Sequence, residues 1–391
     1  MSTAQQAPPE PPDERTHGGE GDGPAPTRRG GATPAKLVIG IIGLALVAWL
    51  LGNLFLAFAY KPGWFFDSKI LIGVIALVAG VGGAYVLFFF LNMAVEGLPQ
   101  RLGEKVMPYA YLLPGLGLVG LMLLYPTIQT INYSFANADS TKYIGFDNYV
   151  DILGDSEFRI SILNNFLWLL IVPAVTVALG IIVAVLSDKL SERGEKVSKS
   201  TIFLPMAISF VGASTIWNLV YDYGSGDTQI GLLNSVWTTL GGTPQAWLDI
   251  STGRLNSLLL MVILIWLQVG FAMILLSSAI KGVPEDTIEA ARIDGASEFQ
   301  IFTRVVVPQI KGTIITVFIT VVILVLKVFD IVYVLTDGRD KTQVIANLFF
   351  AKLFRDSQSG EASAIVVVLL LAVTPVLIYQ VRHFRREELG R

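Results

Sequence analysis

The sequence contains no cysteine and only two histidines among its 391 residues. The lack of cysteine excludes a disulfide framework, a thiolate nucleophile and any cysteine-based metal site. His17 and His383 lie in polar terminal segments, where a lone histidine is usually solvated, and we assign neither a role. Charged residues make up only 15% of the chain, whereas hydrophobic residues make up 53% and the mean hydropathy is +0.62. This balance is more apolar than that of soluble globular proteins and predicts a protein solvated by a lipid bilayer.

Recognisable catalytic motifs are also missing. The sequence has no G-x-x-x-x-G-K-[ST] loop, so the chain cannot hydrolyse ATP by that route. It has no HExxH or GxSxG motif and no cluster of carboxylates. We therefore predict no catalytic residue, no metal site and no cofactor bound by this chain. The net charge of −3 is too small to indicate a nucleic-acid partner.

Long apolar segments dominate what is present. A membrane-crossing helix needs about 20 mostly apolar residues, because only a helix satisfies its own backbone in hydrocarbon. Eight segments qualify, and they predict an all-α polytopic membrane protein with about eight transmembrane helices. The fifth segment is interrupted by Pro205, Ser209 and Asn218. The segments lie near Leu37–Ala59, Ile70–Met93, Tyr109–Ile131, Phe166–Leu186, Thr201–Val220, Leu258–Ile280, Thr313–Leu335 and Ala364–Val381.

The distribution of lysine and arginine predicts the orientation. Positively charged loops stay on the cytoplasmic side of a membrane. If the N-terminus is cytoplasmic, the inner segments carry 17 lysines and arginines and the outer segments carry 9. We therefore predict that both termini and the segment 281–312 are cytoplasmic. Residues 1–35 are rich in proline, glycine, glutamate and arginine, and they are predicted to be a disordered cytoplasmic tail.

The predicted cytoplasmic segment 281–312 carries signals for two short helices. Pro284 suits a helix start, because the N–H that proline lacks would have no partner there, and Glu285 and Asp286 favour the positive end of the helix dipole. Gly295 suits the end of this helix.

A second short helix is predicted directly after that glycine. Ser297 and Gln300 have the spacing of a capping box, and Pro308 would end or kink the helix. The segment is therefore predicted to fold as two helices around a glycine elbow and to form a docking surface.

Lys327 and Asp330 are the only clear pair of opposite charges within a predicted span. Their spacing of three residues would place them on one helical face. A charge at the bilayer centre costs about 2.5–3.5 kcal/mol on insertion scales, so such residues usually face protein or water. Two interpretations remain open: a self-neutralised pair near the outer interface, or a pair that lines or gates a polar pathway.

The 281–312 segment also carries a family resemblance. Glu289-Ala-Ala-x-x-Asp-Gly-Ala296, followed by Phe302 and Val305-x-Val-Pro308, resembles the cytoplasmic loop of binding-protein-dependent ABC importer permeases. Val307 stands where that family usually has leucine. Over about residues 105–385, further stretches resemble the sugar-importer subgroup of the maltose-permease type, and Val328–Thr336 with Thr342–Asn347 resembles its alpha-glucoside branch. The further stretches are Ile144–Tyr149, Phe203–Pro205, Gly231–Asn234, Ala246–Leu248 and Lys281–Asp286.

The resemblance implies a domain organisation and a set of partners. Residues 105–385 would be a six-helix permease core, residues 36–104 would add two N-terminal helices with their loop, and residues 386–391 would be a cytoplasmic tail. The chain would transport carbohydrate with a second permease subunit, a cytoplasmic ABC ATPase dimer that binds ATP and Mg²⁺, and an extracytoplasmic sugar-binding protein. It would lie in the cell (inner or plasma) membrane as a multi-pass protein surrounded by membrane lipid.

The resemblance also implies two groups of site residues. Alternatives remain open, since Ala290 and Ala291 could reflect helix propensity alone, the apolar positions of the second group could reflect packing, and Gln268 could bond between helices. The ATPase-coupling group is Glu289, Ala290, Ala291, Asp294, Gly295, Ala296, Phe302 and Pro308. The substrate-pathway group is Met206, Phe210, Leu267, Gln268 and Phe271, together with Lys327 and Asp330.

Three further positions bear on the substrate. Val321, Val325 and Val328 stand where the family has polar pocket residues, which weakens the expectation of a maltose site within the membrane.

Two other functions remain as alternatives to the permease. One is an ion-coupled secondary transporter using Lys327, Asp330 and Gln268 as a relay, although no obvious inverted repeat supports it. The other is a membrane scaffold whose loop recruits a cytosolic partner.

Overall fold

The computed structural model describes residues 34–224 and 231–389 of the chain. The predicted tail, residues 1–35, lies outside this description except for its last two residues, which begin the first helix. The described residues form helices, turns and one isolated antiparallel bridge between Ala136 and Tyr143. The all-α prediction is therefore confirmed.

The helices, numbered in chain order, differ widely in length. They are α1 (Pro34–Tyr60), α2 (Lys69–Glu96), α3 (Gln100–Val119), α4 (Tyr125–Tyr133), α5 (Asp147–Gly154), α6 (Ser156–Asp188), α7 (Glu192–Phe203), α8 (Phe210–Tyr221), α9 (Leu232–Thr239), α10 (Leu255–Lys281), α11 (Glu285–Ile293), α12 (Glu298–Ile301), α13 (Val307–Gln309), α14 (Lys311–Leu326), α15 (Asp330–Leu335), α16 (Ile345–Phe350) and α17 (Ser359–Leu389). Short 3₁₀ helices span Pro62–Phe65, Leu204–Ala207, Trp247–Asp249 and Thr252–Arg254, and π-helical turns span Gly120–Leu124, Phe302–Val306 and Ala351–Arg355.

Six helical segments of the described chain are long and apolar enough to cross a membrane, and two bent helix pairs raise the number to eight. The prediction of about eight spans agrees with this count. The six are Pro34–Tyr60, Lys69–Glu96, Arg101–Tyr133, Ser156–Asp188, Thr252–Lys281 and Ser359–Tyr379. The last helix continues to Leu389, so most of the stretch predicted as the tail 386–391 is helical.

The fifth predicted span is one of the two bent pairs. Its halves, Glu192–Ala207 and Phe210–Tyr221, meet at an angle of 104°. Ser209 has extended backbone angles, and its hydroxyl accepts a hydrogen bond from the Gly212 amide at 3.1 Å, which starts α8. The interruption that Pro205 and Ser209 produce in the sequence is therefore a sharp bend in the structure.

The seventh predicted span, Thr313–Leu335, is wrong at its C-terminal end. α14 ends at Leu326, and a new helix, α15, begins only at Asp330. Phe329 has φ −142° and ψ −61°, which no helix accommodates. Asp330 suits the positive end of the new helix. The expectation that Lys327 and Asp330 share a helical face is therefore wrong, because the two residues flank a break.

The chain divides into two compact units, one ending at Leu124 and the other beginning at Tyr125. In the first unit, α1 and α2 pack together as a hairpin joined by Pro62–Phe65. The most apolar window of α2 has no residue buried within the protein, as expected for a helix surrounded by lipid. The predicted boundary at residues 104/105 lies inside α3.

The second unit is built around α10. In the most apolar window of the Thr252–Lys281 span, 61% of the residues are buried within the protein. One buried cluster joins α10 to α6 and α14, with Val177, Ala272 and Val317 among its members. Another joins α10 to α6, α8, α14 and α15 around Trp168 and Leu260. The central position of α10 decides where the functional site forms, since both parts of the site described below adjoin this helix.

Candidate functional site

Residues 281–312, called the elbow loop from here on, begin with the predicted helix. Pro284 is its N-cap, and α11 runs from Glu285 to Ile293. Gly295 has φ +80°, a left-handed backbone that glycine adopts without strain. The Gly295 amide donates to the Arg292 carbonyl at 3.0 Å, and the Ala296 amide donates to the Ala291 carbonyl at 3.1 Å. This pair of bonds is a Schellman motif, so the predicted glycine end of α11 is confirmed.

The second helix begins with the predicted capping box. The Gln300 amide donates to the Ser297 hydroxyl at 3.4 Å, and the Ser297 amide donates to the Gln300 side-chain oxygen at 2.8 Å. A π-helical turn at Phe302–Val306 follows α12, and the helical segment ends with α13 at Gln309, one residue beyond Pro308. The chain bends by 71° between α13 and α14, after Ile310.

An ion pair closes the elbow. Arg292 Nε donates to Glu298 Oε1 at 2.9 Å, and Arg292 Nη2 donates to Glu298 Oε2 at 3.3 Å. The hydrogen bond with the Glu298 carboxylate raises the pKa of the Arg292 guanidinium. This two-point contact fixes the end of α11 against the start of α12.

The elbow loop has a small apolar core of its own. Val283, Ile301, Val306 and Ile310 are buried in it. Fully burying a side chain of this size contributes about 1.5–3 kcal/mol, which is large for so short a segment. The elbow loop is therefore a folded unit, and it packs directly on the end of α10 through residues such as Ile280.

The predicted coupling residues divide between the inside and the outside of this unit. Ala291, Ala296 and Phe302 pack against the apolar core of the elbow loop. The remaining predicted residues are exposed on its surface, and they are Glu289, Ala290, Asp294, Gly295 and Pro308.

Sequence reasoning missed the two most exposed large apolar side chains of the elbow loop. Ile293 is 86% exposed and Phe299 is 76% exposed, one on either side of the glycine elbow. Single exposed apolar residues are common on protein surfaces, but two such large groups on one short elbow offer apolar surface that a partner can cover. One sequence signal could have found them. Each is a large apolar residue at the end of a short helix, within a segment that is otherwise largely charged.

Two adjoining cavities form the second part of the site. They share Phe210, Leu324 and Asp330 among their lining residues, and we call them together the Phe210 cavity. One has a volume of about 280 Å³ and the other about 460 Å³, which is the size range of small-molecule sites. The smaller is lined by Phe210, Leu264, Leu324, Lys327, Val328, Phe329, Asp330 and Ile331. The larger is lined by Met206, Ile208, Ser209, Phe210, Val211, Leu267, Gln268, Leu324 and Asp330.

The Phe210 cavity brings together six of the seven predicted pathway residues. Phe271 is the exception and lines neither part. Gln268 is only 4% exposed, and its side-chain oxygen has no hydrogen-bond partner among the described residues. A buried amide oxygen without a partner costs free energy, so it is suited to accept a bond from a polar ligand.

Lys327 and Asp330 both line the smaller part of the cavity. No ion pair joins them in the described structure, so the interpretation as a self-neutralised pair has no geometric support. The helix break between them, rather than a shared helical face, places both side chains at the cavity.

The three valines at the polar pocket positions are not equivalent. Val321 and Val325 are fully buried in the helix-packing cluster around Trp168. Val328 lines the smaller part of the cavity.

The sequence analysis did not identify Ile208, Ser209 and Leu324 as lining residues of the cavity. The helix-break signal at Ser209 marked the region of the first two.

Comparisons with known proteins agree with this arrangement. The family described as "binding-protein-dependent transport system inner membrane component" matches residues 176–387, which include the elbow loop and the Phe210 cavity. The chain is 43% identical over 338 residues to the alpha-glucoside transport system permease protein AglF of Rhizobium meliloti, covering 83% of this chain and 99% of that protein. It is 47% identical over 279 residues to the osmoprotective compounds uptake permease protein GgtC of Synechocystis, covering 71% of this chain and 99% of that protein.

A solved structure shares the fold. It is a bacterial ABC transporter involved in the import of the acidic polysaccharide alginate, matched with a TM-score of 0.63 and 22% sequence identity over 73% of this chain and 99% of that chain. The family model matches more than half of the chain, and the alignment with AglF covers 83% of it. The chain therefore belongs to the family of inner-membrane permease components of binding-protein-dependent ABC transport systems.

Proposed function

We propose that this chain is one of two permease subunits of an ATP-driven, binding-protein-dependent carbohydrate importer, and that alpha-glucosides are its substrate class. The observation that carries this proposal is the elbow loop. It is a folded unit that exposes Ile293 and Phe299 on its surface, in a chain that has no phosphate-binding loop of its own.

The elbow loop transmits the energy of ATP in this proposal. Its apolar surface lies in a groove of the ATPase subunit, a helix-in-groove contact, and Glu289 offers its carboxylate to a basic residue there. Because the Schellman motif, the capping box and the apolar core hold both helices together, the loop moves as one body. α10 and α14 emerge from its two ends, and both contribute residues to the Phe210 cavity.

The partners follow from this role. A second permease completes the translocation pathway, a cytoplasmic ATPase dimer binds ATP and Mg²⁺, and an extracytoplasmic sugar-binding protein delivers the substrate. The excess of lysine and arginine supports an orientation in the inner membrane with both termini and the elbow loop in the cytoplasm.

The chemistry of the Phe210 cavity supports a carbohydrate substrate. Phe210 and Met206 offer apolar surfaces to a sugar ring, while Gln268, Lys327 and Asp330 offer hydrogen bonds to hydroxyl groups. The similarity to AglF, an alpha-glucoside transport permease, favours alpha-glucosides, and the similarity to GgtC makes osmoprotective compounds the second candidate class.

A charge reversal in the elbow loop tests this function. The tagged chain is purified from membranes of its own host in mild detergent, and uptake of maltose, trehalose and sucrose is measured in cells. We expect a second permease and an ATPase subunit to co-purify with the unmodified chain. In Glu289→Lys we expect the ATPase subunit to be lost from the purified complex and uptake to be lost from the cells. Normal uptake by Glu289→Lys, or purification without an ATPase, would refute the proposal.

The lack of native cysteine allows a direct test of orientation. Single cysteines at Phe299 and at Asp340, both exposed, are treated with a membrane-impermeant maleimide in intact spheroplasts. We expect labelling of Asp340→Cys alone, and labelling of Phe299→Cys only after permeabilisation. The opposite pattern would place the elbow loop outside the cell and separate it from any cytoplasmic ATPase.

A further inference from the structure

A network of four charges joins the ends of three helices beside the elbow loop. Lys199 Nζ of α7 donates to Asp188 Oδ1 of α6 at 2.8 Å and to Glu195 Oε1 at 2.6 Å. Lys281, the last residue of α10, donates to Glu195 and lies 3.7 Å from Asp188 Oδ1. Ser277 of α10 donates to Asp188 Oδ1 at 2.8 Å. We call Asp188, Glu195, Lys199 and Lys281 the four-charge network.

The burial of this network separates it from an ordinary surface ion pair. The side chains of Asp188, Glu195 and Lys199 are only 18–20% exposed, whereas the side chain of Lys281 is 51% exposed and covers them from the solvent side. On the same helix, Lys196 pairs with Glu192 at 2.7 Å, but these side chains are 73% and 83% exposed. Exposed pairs of that kind contribute little, whereas shielded networks are screened less by water and salt.

Two of the joined helices lead directly to the Phe210 cavity. α7 continues through Leu204–Ala207, which contains Met206, and α10 carries Gln268 about four turns before Lys281. The two helices touch a second time near the cavity. A Cβ at Gly270 would lie 2.4 Å from the Ile202 carbonyl oxygen, so their backbones are in direct contact there.

The same helix end is fixed to the elbow loop. Ala279 and Ile280, next to Lys281, pack against the apolar core that contains Val283 and Ile301. A displacement of the elbow loop therefore acts first on the end of α10. The four-charge network connects this end of α10 to α6 and α7.

One member of the network has room for a second arrangement. The Oδ2 atom of Asp188 is buried and has no hydrogen-bond partner in the described part of the chain. Lys281 lies within reach of both Asp188 and Glu195. It can therefore exchange Glu195 for Asp188 when the elbow loop moves, without losing a carboxylate partner.

We propose that Asp188, Glu195, Lys199 and Lys281 are positioning residues that make α6, α7 and α10 move as one body, so that movement of the elbow loop reaches the Phe210 cavity. This inference rests on the proposed function. It adds Asp188, Glu195 and Lys199, which lie outside the stretches that carry the family resemblance, and it gives Lys281, the first residue of the elbow loop, a partner for each movement. The role of the four residues is to keep ATP hydrolysis and substrate movement coupled.

The test measures coupling rather than activity alone. The complete transporter is reconstituted with its ATPase and binding protein in lipid vesicles, and ATP hydrolysis and maltose uptake are measured on the same sample. For Glu195→Gln and Lys199→Met we expect uptake to fall about five- to tenfold while ATP hydrolysis falls less than about twofold. The number of ATP molecules used per sugar should therefore rise.

Matched variants separate coupling from folding and assembly. Glu192→Gln and Lys196→Met alter the exposed pair on the same helix and should leave the ratio of ATP to sugar unchanged. Lys281→Arg keeps the charge and should retain coupling, whereas Lys281→Met should lose it. Co-purification of the ATPase and the thermal midpoint of the complex confirm that each variant has assembled.

The distance between α7 and α10 tests directly whether the two helices move together. Spin labels on cysteines placed at Val197 of α7 and Ile274 of α10, both exposed, should give a narrow distance distribution in the otherwise unchanged chain. The distribution should broaden in Glu195→Gln but not in Glu192→Gln.

The outcomes distinguish this inference from the proposed function. If the unmodified complex shows no sugar-dependent ATP hydrolysis, the proposed function fails. If the unmodified complex does hydrolyse ATP in response to sugar, the positioning role is tested by Glu195→Gln. The role is refuted if this variant uses the normal number of ATP molecules per sugar and shows an unchanged distance distribution.

Discussion

The elbow loop and the Phe210 cavity are built in different ways. The elbow loop is held by bonds between residues close in sequence, such as the capping box of Ser297 and Gln300, and it has its own small core. The cavity is formed by breaks in two helices, at Ser209 and at Lys327, and by their packing on α10. The loop can therefore be altered without changing the cavity, and only the helices between them make the two act together.

Removing the exposed apolar groups of the elbow loop should have the largest effect. In the double variant Ile293→Ser with Phe299→Ser, each lost burial weakens the ATPase contact by about 1.5–3 kcal/mol. We expect the affinity of the permease for the ATPase to fall by at least about a hundredfold. The thermal midpoint of the isolated permease should stay unchanged, because both side chains are already exposed.

Ile288 provides the matched control for that experiment. It is half-buried against the core of the elbow loop, so Ile288→Ser should lower the thermal midpoint of the permease. A fall in the thermal midpoint for the Ile293 and Phe299 variant as well would show that these side chains serve the fold rather than a partner.

Deforming the elbow should have the next largest effect. Gly295 has φ +80°, a conformation that costs a β-branched residue about 1–2 kcal/mol. Gly295→Val should therefore lower uptake by up to about ten- to thirtyfold, through a smaller population of the folded elbow. Sugar binding to the permease in detergent, measured by calorimetry, should not change. Altered sugar binding would mean that loop and cavity are not separable.

Altering the cavity should change the sugar dependence instead. Phe210→Ala and Gln268→Leu each remove a lining group, and we expect KM for the transported sugar to rise about tenfold, since one such contact is worth about 1–2 kcal/mol. ATPase binding to the elbow loop should be unaffected. Phe271→Ala serves as the control, because Phe271 does not line the cavity. An equal rise in KM for Phe271→Ala would place the sugar elsewhere.

The ion pair across the elbow should matter least. Arg292 and Glu298 are both exposed, and exposed pairs are weakened by solvent and salt. Arg292→Gln should lower uptake less than about twofold, and the difference from the unmodified chain should disappear in high salt. A large effect that persists in high salt would show that Arg292 contacts a partner directly.

The same contrast explains what the sequence could predict. The caps of the elbow loop were predictable from Pro284, Gly295 and Ser297, because each signal acts within one helical turn. Which side chains of α11 and α12 point outward was not predictable, since helices this short carry no clear apolar face. Ala291, and Phe302 in the π-helical turn after α12, pack against the core of the elbow loop, whereas Ile293 is exposed.

The cavity was predictable only in part. Met206 and Phe210 lie on either side of the bend before α8, and this bend packs on α10 near Gln268. The signals for the bend, Pro205 and Ser209, were visible in the sequence. The break at Lys327 carries no proline or glycine. Apolar residues continue on both sides of it, so the sequence carries no local signal that separates α14 from α15.

The energy source of uptake tests the central claim most directly. The complete transporter is placed in lipid vesicles with ATP and Mg²⁺ inside and the sugar-binding protein outside, and uptake of labelled maltose is followed with and without an uncoupler. We predict uptake that requires internal ATP and the binding protein and that survives the uncoupler. Uptake that proceeds without ATP and stops when the uncoupler is added would contradict the account and return Lys327, Asp330 and Gln268 to the role of an ion relay.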